Sequence, residues 1–371
     1  MPHILFLMSD TGGGHRAASR AIEAALQDRY PNQFTVELVD VWKDYYPFPL
    51  NTLPRNYSRW VNANSFTYSA QYWLFDRALR NRKLSEALNY STQSRFRRLY
   101  QEHPADIIVC VHSVFVRPAA YTLRRMKLNK PFITVITDYA LPTVLWYYPD
   151  VDRCLVPTEP AFQRGLTLGL KPPQLVLTGA PVHPKFTRLA LSHQEARAQL
   201  GWREDLPVVM LVGGGDGMGP LVTTAQALDS QSQPFQLAII AGRNAQMKAS
   251  LESMAWQHPT YIYGFVNNIE VFMRGADLLV TKAGPATITE AALLETPLVI
   301  SGAIRHQESP NTEYVVANQA GVYAPGPEIV AQKVSKILAD PEALARLKAG
   351  IKRLAQPEAI WRIADEIRSY A

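Results

Sequence analysis

Short runs of apolar residues recur along almost the whole chain, separated by longer stretches with helical periodicity. A continuous apolar run is typical of a parallel strand that is buried on both faces. The runs predict six strands in the first half of the chain, at Ile4–Met8, Phe34–Val39, Ile107–Val111, Phe132–Thr137, Arg153–Val156 and Leu175–Thr178. They predict six more in the second half, at Val208–Val212, Gln236–Ala241, Tyr261–Tyr263, Leu278–Thr281, Leu298–Ser301 and Gly321–Tyr323. We therefore expect an α/β protein with two doubly wound sheets.

The length of the chain supports the same division, because 371 residues exceed what one hydrophobic core usually fills. We expect an N-terminal domain over residues 1–185 and a C-terminal domain over residues 186–356. The last helix, over residues 357–371, could cross back to the first domain. Ligands of open parallel sheets bind beyond the carboxyl ends of the strands, so we expect the active site in a cleft between the two sheets.

Composition points to a folded globular protein, with 47% hydrophobic and 19% charged residues. Cys110 and Cys154 form neither a disulfide framework nor a metal-binding knuckle, which fits a reducing, cytosolic compartment. The N-terminus lacks the basic segment of a secretory signal. No window approaches about 18 uninterrupted apolar residues, so we expect no membrane-spanning helix.

The net charge of +6 is unevenly distributed. Residues 76–130 contain twelve basic and four acidic residues, so this stretch carries +8 and the remainder −2. Such asymmetry fits a polyanionic partner, which charge alone leaves as nucleic acid or anionic lipid headgroups. A solvated basic face is the alternative.

One segment before the basic stretch is unusually aromatic. From Trp42 to Phe75, eleven of the 34 residues are Phe, Trp or Tyr, against 10% for the whole chain. Aromatic rings with a polar tip favour the membrane interface, so we expect this segment to contact lipid. A helical insertion with these rings in its core is the alternative.

The first strand leads directly into SDTGGGHR at residues 9–16, followed by an alanine-rich helix. Glycines there allow a ligand to approach the backbone, and the start of the helix offers free N–H groups. His15 is a candidate proton acceptor because an imidazole is mostly neutral at pH 7. A histidine that only caps the helix is the alternative.

Two later strands end in turns of the same kind. GGGDGMGP at residues 213–220 has five glycines in seven residues, which suits a diphosphate held by backbone amides. TKAGPATITE at residues 281–290 places Pro285 in a first helical turn and Glu290 about one and a half turns further on. A carboxylate near a helix start can accept both hydroxyls of a ribose. A mobile glycine loop and a capped helix with a surface glutamate are the alternatives.

Six runs together resemble the monogalactosyldiacylglycerol synthase family. They are SDTGGGHRAAS at 9–19, GGGDGMGP at 213–220, AGRN at 241–244, GFV at 264–266, TKAGPATITEA at 281–291 and HQESPN at 306–311. Relatives of this family include bacterial diacylglycerol glucosyltransferases and the peptidoglycan GlcNAc transferase. The runs occur in the family's order across nearly the whole chain. The resemblance implies the glycosyltransferase B fold, in which two Rossmann-like domains face a cleft.

The resemblance implies that the second domain binds a UDP-sugar. The diphosphate would be held by a glycine turn and a helix start, at Gly213, Gly214, Gly215, Gly217, Met218, Gly219, Gly284, Pro285, Ala286 and Thr287. Phe265 and Val266 would bond the uracil through backbone atoms, beside Arg243 and Asn244. Glu290 would bind the ribose, and Gln307, Glu308 and Asn311 would bind the sugar hydroxyls.

The resemblance implies an acceptor role for the first domain. His15 would be the catalytic base, with Asp138 as the second candidate. Gly13 and Gly14 would border the acceptor, and lipid would be met by Trp60, Tyr72, Trp73, Phe75 and Trp146. The chain departs from its relatives after the last strand of this domain, where PVHPK has His183 in place of the usual arginine. Charge neutralisation of the diphosphate is in doubt at that position, and Lys185 is a candidate replacement.

The implied reaction is an inverting transfer of a hexose from a UDP-sugar to the 3-hydroxyl of 1,2-diacylglycerol. Galactose is favoured over glucose by the GGGDGMGP run alone. We expect no metal and no cofactor, anionic membrane lipids as partners, no nucleic acid, and a peripheral location on the cytoplasmic face of a membrane. Three alternatives stay open: a transferase with another lipid-linked acceptor, a sugar-nucleotide epimerase, and a non-catalytic membrane-associated nucleotide-sugar-binding protein.

Overall fold

A computed structural model describes residues 1–11, 13–54, 82–213 and 220–371 of the chain. The chain divides into two compact units. Unit 1 comprises Met1–Pro184 together with Pro357–Ala371, and unit 2 comprises Lys185–Gln356. No helix among the described residues is both long enough and apolar enough to cross a bilayer.

Unit 1 is built on a parallel sheet of six strands in the order β2-β1-β3-β4-β5-β6. The strands are β1 (His3–Met8), β2 (Thr35–Asp40), β3 (Ile107–Cys110), β4 (Phe132–Val135), β5 (Arg153–Val156) and β6 (Leu175–Leu177). The helices are α1 (Gly14–Arg29), α2 (Val41–Tyr45), α3 (Arg82–Glu102), α4 (Ser113–Arg125) and α5 (Glu159–Thr167), with short 3-10 turns at Leu50–Thr52, Val144–Trp146 and Pro172–Gln174.

Both faces of this sheet are buried, as the continuous apolar runs predict. Leu5 and Leu7 of β1 pack into one core, and Ile4 and Phe6 pack into the core on the opposite face. The last helix of the chain, which follows unit 2, belongs to the second of these cores: Ile363 is fully buried there, in a helix that packs against α1.

Unit 2 repeats the architecture with a parallel sheet in the order β12-β11-β10-β7-β8-β9. Its strands are β7 (Val208–Val212), β8 (Gln236–Ile240), β9 (Thr260–Tyr263), β10 (Leu278–Lys282), β11 (Leu298–Gly302) and β12 (Gly321–Tyr323). Its helices are α6 (Pro184–Arg188), which begins at the last residue of unit 1, α7 (His193–Leu200), α8 (Leu221–Asp229), α9 (Ala245–Glu252), α10 (Ile269–Gly275), α11 (Pro285–Leu293), α12 (Ser309–Ala317), α13 (Pro327–Leu338) and α14 (Pro341–Leu354). Helix α15 (Ala359–Arg368) is the helix that returns to unit 1.

The predicted fold class is confirmed, because each of the twelve predicted strands is present and both sheets are parallel. In each sheet the strand order reverses beside the first strand of the unit: β1 lies between β2 and β3, and β7 lies between β10 and β8. Doubly wound sheets bind ligands at such a point, beyond the carboxyl ends of the strands. The first two glycine turns follow β1 and β7, and the third follows β10, the neighbour of β7.

The aromatic segment is in part a core element, which corrects the expectation that it contacts lipid along its length. Tyr45 and Tyr46 are buried in unit 1, and Trp42 packs against the same core. The Trp42 ring lies 4.3 Å from the Tyr46 ring and 5.6 Å from the Phe115 ring, measured between centroids. Helix α2 presents these rings inward because it packs directly against α3.

The predicted lipid-contacting residues Trp60, Tyr72, Trp73 and Phe75 lie outside the described residues. Phe48 is the described aromatic of this segment that does face solvent, with 79% of its surface exposed. Leu50, two residues on, is also exposed.

Candidate active site

The glycine turn after β1 is held in place by a buried carboxylate on the neighbouring strand. Asp40, at the end of β2, accepts a hydrogen bond from the Ser9 hydroxyl at 2.8 Å and another from the Asp10 backbone N–H at 3.1 Å. Because β1 and β2 run parallel and in register, their carboxyl ends meet at one edge. Asp40 therefore anchors the segment that leads to His15.

The turn requires glycine where it enters the helix. Gly13 caps α1 with φ of 77°, in the left-handed region that side chains rarely adopt. Gly14 is the first residue of α1, and a Cβ at either position would meet no atom within 4 Å. Both glycines are exposed, so the backbone beside His15 is open to a ligand.

The His15 imidazole is oriented by the ends of two other strands. Its Nδ1 lies 2.7 Å from the carbonyl oxygen of Val111, which follows β3, and 3.0 Å from Oγ1 of Thr137, which follows β4. A carbonyl oxygen can only accept, so Nδ1 carries the proton and Nε2 presents a lone pair. Among the described residues, none is hydrogen-bonded to Nε2. Nε2 is therefore the ring nitrogen that can accept a proton.

The environment keeps this imidazole neutral. Burial lowers the pKa of His15 to about 4, although the Val111 carbonyl and the nearby Asp10 carboxylate both favour the charged form. At pH 7 the ring is therefore ready to accept a proton. That His15 acts as a base stays a prediction.

A second histidine, which the sequence analysis missed, packs against the first. The rings of His112 and His15 are 4.3 Å apart, and His112 stacks on Phe115 at 4.5 Å. Its Nε2 lies 3.2 Å from Oγ1 of Thr11 in the glycine turn. Burial, followed by the proximity of His15, places its pKa well below the ordinary value. His112 therefore packs as an uncharged ring against a second side of the His15 imidazole.

Asp138, the second candidate base, is bound to Trp146. The indole N–H of Trp146 donates to Oδ2 of Asp138 at 2.6 Å. Trp146 is 1% exposed, which corrects the expectation that it faces lipid. Its ring centroid lies 6.3 Å from that of His15, so it forms part of the wall around that imidazole. One oxygen of Asp138 is thereby committed to holding this wall.

In unit 2, α11 begins directly at the turn that follows β10. Gly284 caps the helix and Pro285 occupies its first position. The first N–H groups of a helix have no partner within it, which leaves Ala286 and Thr287 as donors for an anion. Of the other glycine turn, Gly213 is described and buried, whereas Gly214, Gly215, Gly217, Met218 and Gly219 lie outside the described residues.

Glu290 projects from the second turn of α11. Burial raises the pKa of its carboxyl group to about 7; Lys185 opposes the rise and Glu270 adds to it. A carboxyl group so poorly solvated gains from hydrogen-bond donors on a ligand, because a bound hydroxyl replaces lost water.

Lys282, another residue that the sequence analysis missed, is the last residue of β10 and directly precedes the turn that leads into α11. Its ammonium group is 2.9 Å from Oε1 of Glu308, a residue only 4% exposed, whose Oε2 accepts the Ile304 backbone N–H at 2.9 Å. The lysine chain passes Gly284, since a Cβ there would be 3.9 Å from its Cε. The sequence did carry one signal for Lys282: it is a basic residue at the end of a predicted strand, just before a predicted helix start.

The remaining predicted sugar contacts differ in exposure. Asn311 is buried, and its amide donates to the carbonyl of Ala283 at 3.0 Å, which ties α12 to the turn after β10. Gln307 is half-buried. Each oxygen of Glu308 keeps a second lone pair for a ligand hydroxyl.

Arg243, which follows β8, and Phe265, which follows β9, form a stacked pair. The guanidinium carbon of Arg243 lies 4.3 Å from the centroid of the Phe265 ring, which is 50% exposed. Asn244 caps α9 by accepting the Met247 N–H at 2.9 Å, and Val266 is half-buried. An exposed ring under a planar cation is suited to a flat heterocycle.

The described part of the chain contains no cluster of three or more His, Cys, Asp or Glu side chains that could hold a metal ion. That the reaction needs no metal stays a prediction.

Comparison with protein families assigns both units. The model for "Monogalactosyldiacylglycerol (MGDG) synthase" matches residues 15–182, and the model for "Glycosyltransferase family 28 C-terminal domain" matches residues 208–363. The solved structure of MurG from Acinetobacter baumannii matches with a TM-score of 0.66 over 100% of both chains, at 15% identity. At that identity the likeness shows the fold alone, which is the glycosyltransferase B fold expected from the motifs.

Two curated plant proteins match over nearly the whole chain. The protein named "Probable monogalactosyldiacylglycerol synthase, chloroplastic" of Glycine max is 36% identical over 375 residues, covering 98% of this chain and 70% of its own length. Monogalactosyldiacylglycerol synthase 1, chloroplastic, of Arabidopsis thaliana is 34% identical over 378 residues, again covering 98% and 70%. The resemblance found in the sequence motifs is confirmed, and the chain belongs to the monogalactosyldiacylglycerol synthase family.

Proposed function

We propose that this hexosyltransferase moves galactose from UDP-galactose to the 3-hydroxyl of 1,2-diacylglycerol, with inversion at the anomeric carbon. The acceptor oxygen forms a bond to the anomeric carbon while the bond from that carbon to UDP breaks. The acceptor proton passes to Nε2 of His15, and UDP leaves with the electron pair. The family relationship supports the substrates, and the residues described above support the roles.

The observation that carries the proposal is the orientation of His15. Val111 and Thr137 occupy the Nδ1 side of the ring, so the accepting nitrogen is directed away from the sheet. Asp138 is a weaker candidate because one of its oxygens already accepts the Trp146 indole N–H. We assign His15 as the base and Asp138 as a residue that holds Trp146 against it.

Unit 2 supplies the donor site. Phe265 and Val266 bind the uracil beside Arg243 and Asn244, and Glu290 accepts the ribose hydroxyls. The amides of Ala286 and Thr287, at the positive end of the α11 dipole, hold the diphosphate together with the glycine turn at 213–219.

In this proposal Lys282 supplies the positive charge for the diphosphate, which a histidine at position 183 supplies only when it is protonated. His183 is exposed and belongs to unit 1, whereas Lys282 carries an ammonium group at the end of β10, just before α11. We assign Lys282 to the developing negative charge on the leaving diphosphate. Its ion pair with Glu308 also orients that carboxylate. We assign Gln307 and Glu308 to the sugar hydroxyls. Asn311 supports the turn after β10 through its hydrogen bond to Ala283.

The acceptor is a lipid, so the enzyme has to work at a membrane surface. Exposing acyl chains to water costs about 0.8 kcal/mol per methylene, which makes extraction of diacylglycerol unfavourable. Phe48 and Leu50 are exposed apolar residues next to the core of unit 1, and Arg97 is an exposed cation on α3. We propose that Phe48, Leu50 and Arg97, together with the aromatic and basic residues that the sequence carries over 55–81, dock on anionic lipid.

Variants separate docking from donor binding. Replacing Trp60, Tyr72, Trp73 and Phe75 with serine should abolish pelleting with anionic vesicles and leave UDP binding intact. Added salt should weaken vesicle binding of the parent protein, because exposed charges are screened. A quadruple variant that still pellets, or that unfolds, would assign these rings to a core.

We place the protein at the cytoplasmic face of the membrane as a peripheral protein. Cys110 and Cys154 are both buried free thiols, which fits a reducing compartment.

Release of UDP provides the test of the proposed function. The purified protein, UDP-galactose and vesicles with or without diacylglycerol would be combined, and free UDP measured over time. We expect release that depends on diacylglycerol. Release with another lipid-linked acceptor alone, epimerised sugar nucleotide, or binding without turnover would support the corresponding alternative function instead.

A further inference from the structure

Lys185 is the first residue of unit 2, and its ammonium group pairs with a largely buried carboxylate of that unit. The distance from its Nζ to Oε2 of Glu270, in the first turn of α10, is 2.6 Å. The Glu270 side chain is 13% exposed and that of Lys185 is 33% exposed. A pair this poorly solvated is screened far less than a surface ion pair.

The same ammonium group holds the turn that follows β9. It donates to the backbone carbonyl of Asn267 at 2.7 Å. Asn267 directly follows Phe265 and Val266, to which the proposed function assigns the uracil. Lys185 therefore fixes the end of the nucleotide turn to the start of α10.

Glu290, the residue assigned to the ribose, is subject to the field of this pair. Among the described residues, the charged groups that act on its carboxyl group are Lys185, which favours the ionised form, and Glu270, which disfavours it. The pair and the carboxyl group on which it acts thus come from three helices of unit 2, with Lys185 in α6, Glu270 in α10 and Glu290 in α11.

We infer that Lys185 and Glu270 are a positioning pair for the donor's nucleoside: the Lys185 ammonium group joins the Asn267 turn to Glu270 at the start of α10, and the pair acts on the Glu290 carboxyl group assigned to the ribose. This inference rests on the proposed donor site. It gives Lys185 a role at the ribose, in place of the diphosphate role considered from the sequence.

The consequence is a donor affinity that depends on pH. An ionised carboxylate accepts hydroxyl donors more strongly than a neutral carboxyl group, so affinity should rise as the pH increases through the titration of Glu290. Removing the Lys185 cation should move the midpoint upward, and removing the Glu270 anion should move it downward. General damage to the site would not produce shifts of opposite sign.

The test measures the affinity for UDP-galactose by calorimetry between pH 5.5 and 8.5. The sugar-capped diphosphate lacks the phosphomonoester proton that titrates near pH 6, so the ligand itself contributes no titration there. The proteins compared are the parent, Lys185→Met, Lys185→Arg, Glu270→Gln and Glu290→Gln.

We expect Lys185→Met to raise the midpoint by about one pH unit, which weakens binding about fivefold at pH 7. Glu270→Gln should lower the midpoint, Lys185→Arg should leave it near that of the parent, and Glu290→Gln should remove the pH dependence. If Lys185→Met does not fold, the isosteric Glu270→Gln variant decides alone.

Failure of the proposed donor site and failure of the positioning role give different results. A parent protein that binds no UDP-galactose at any pH would overturn the proposed donor site and this inference with it. A parent that binds, with a midpoint that neither Lys185→Met nor Glu270→Gln moves, would overturn only the positioning role. Shifts of the same sign in both variants would also contradict it.

Discussion

The Nδ1 atom of His15 lies 2.7 Å from the carbonyl oxygen of Val111, 96 residues further along the chain. This contact joins the helix after β1 to the end of β3, which is possible because the two strands are neighbours in the sheet. It determines which nitrogen carries the proton, and hence which nitrogen can accept one from a substrate.

Replacing His15 with alanine should lower turnover by about 100-fold or more, since a general base acts in the transition state. UDP binding should remain near that of the parent, because His15 belongs to unit 1 and the donor residues to unit 2. Steady-state turnover and calorimetry on the same preparation check both statements. A variant that keeps most of its turnover would move the base to Asp138.

The pH profile of turnover at saturating donor should have its acidic limb near pH 4. The pKa of His15 is lowered to about 4 by burial, so the neutral base persists until the pH falls through that value. Turnover at pH 5.5 should therefore stay within about twofold of its value at pH 7.5. Half-loss of turnover near pH 6.5, where an ordinary histidine titrates, would contradict this environment.

Replacing Glu290 with alanine should weaken UDP binding by about 5- to 150-fold, which corresponds to the 1 to 3 kcal/mol of an unmatched buried polar group. Glu295→Gln is the matched control, because that carboxylate follows the same helix but pairs with Lys352 at 3.0 Å on a more exposed surface. Equal affinities for UDP in the parent and in Glu290→Ala would remove Glu290 from the donor site.

Replacing Trp146 with phenylalanine removes the N–H that Asp138 accepts and leaves a buried gap. The free energy of unfolding should fall by about 1 to 3 kcal/mol, measured by denaturant titration. Vesicle binding should not change, because the ring is buried. Phe48→Ser is the contrasting variant: it should weaken vesicle binding with little effect on stability. Weakened vesicle binding by a folded Trp146→Phe protein would restore a lipid-facing role for Trp146.

The sequence predicted the strands well because a parallel strand buried on both faces is a short, continuous apolar run. The turns that follow β1, β7 and β10 were predicted for a related reason. Glycine and proline have strong conformational preferences of their own, so their positions are visible without tertiary information.

What the sequence did not predict depends on which strands become neighbours. His112 supports His15 only because β3 lies beside β1, and Asp40 anchors the glycine turn only because β2 lies on its other side. Neither order is encoded in a local pattern. Both residues follow or end an apolar run, which is the one local signal they carry.

Aromatic residues were the other source of error. Tyr45, Tyr46 and Trp146 have an apolar ring and a polar tip, and this chemistry suits a membrane interface and a core equally well. The structure decides by partners: the Tyr45 hydroxyl donates to Glu102 at 2.6 Å, and the Trp146 indole donates to Asp138. Local composition could not reveal either partner.

The most direct test of the proposed activity is identification of the lipid product. The protein would be incubated with diacylglycerol vesicles and either labelled UDP-galactose or labelled UDP-glucose, and the extracted lipids analysed for labelled glycolipid. We predict labelled monogalactosyldiacylglycerol from UDP-galactose in greater yield than any product from UDP-glucose, and none from His15→Ala above about one hundredth of that yield. Labelled product from UDP-glucose alone would contradict the donor, and no labelled diacylglycerol product from either sugar would contradict the activity itself.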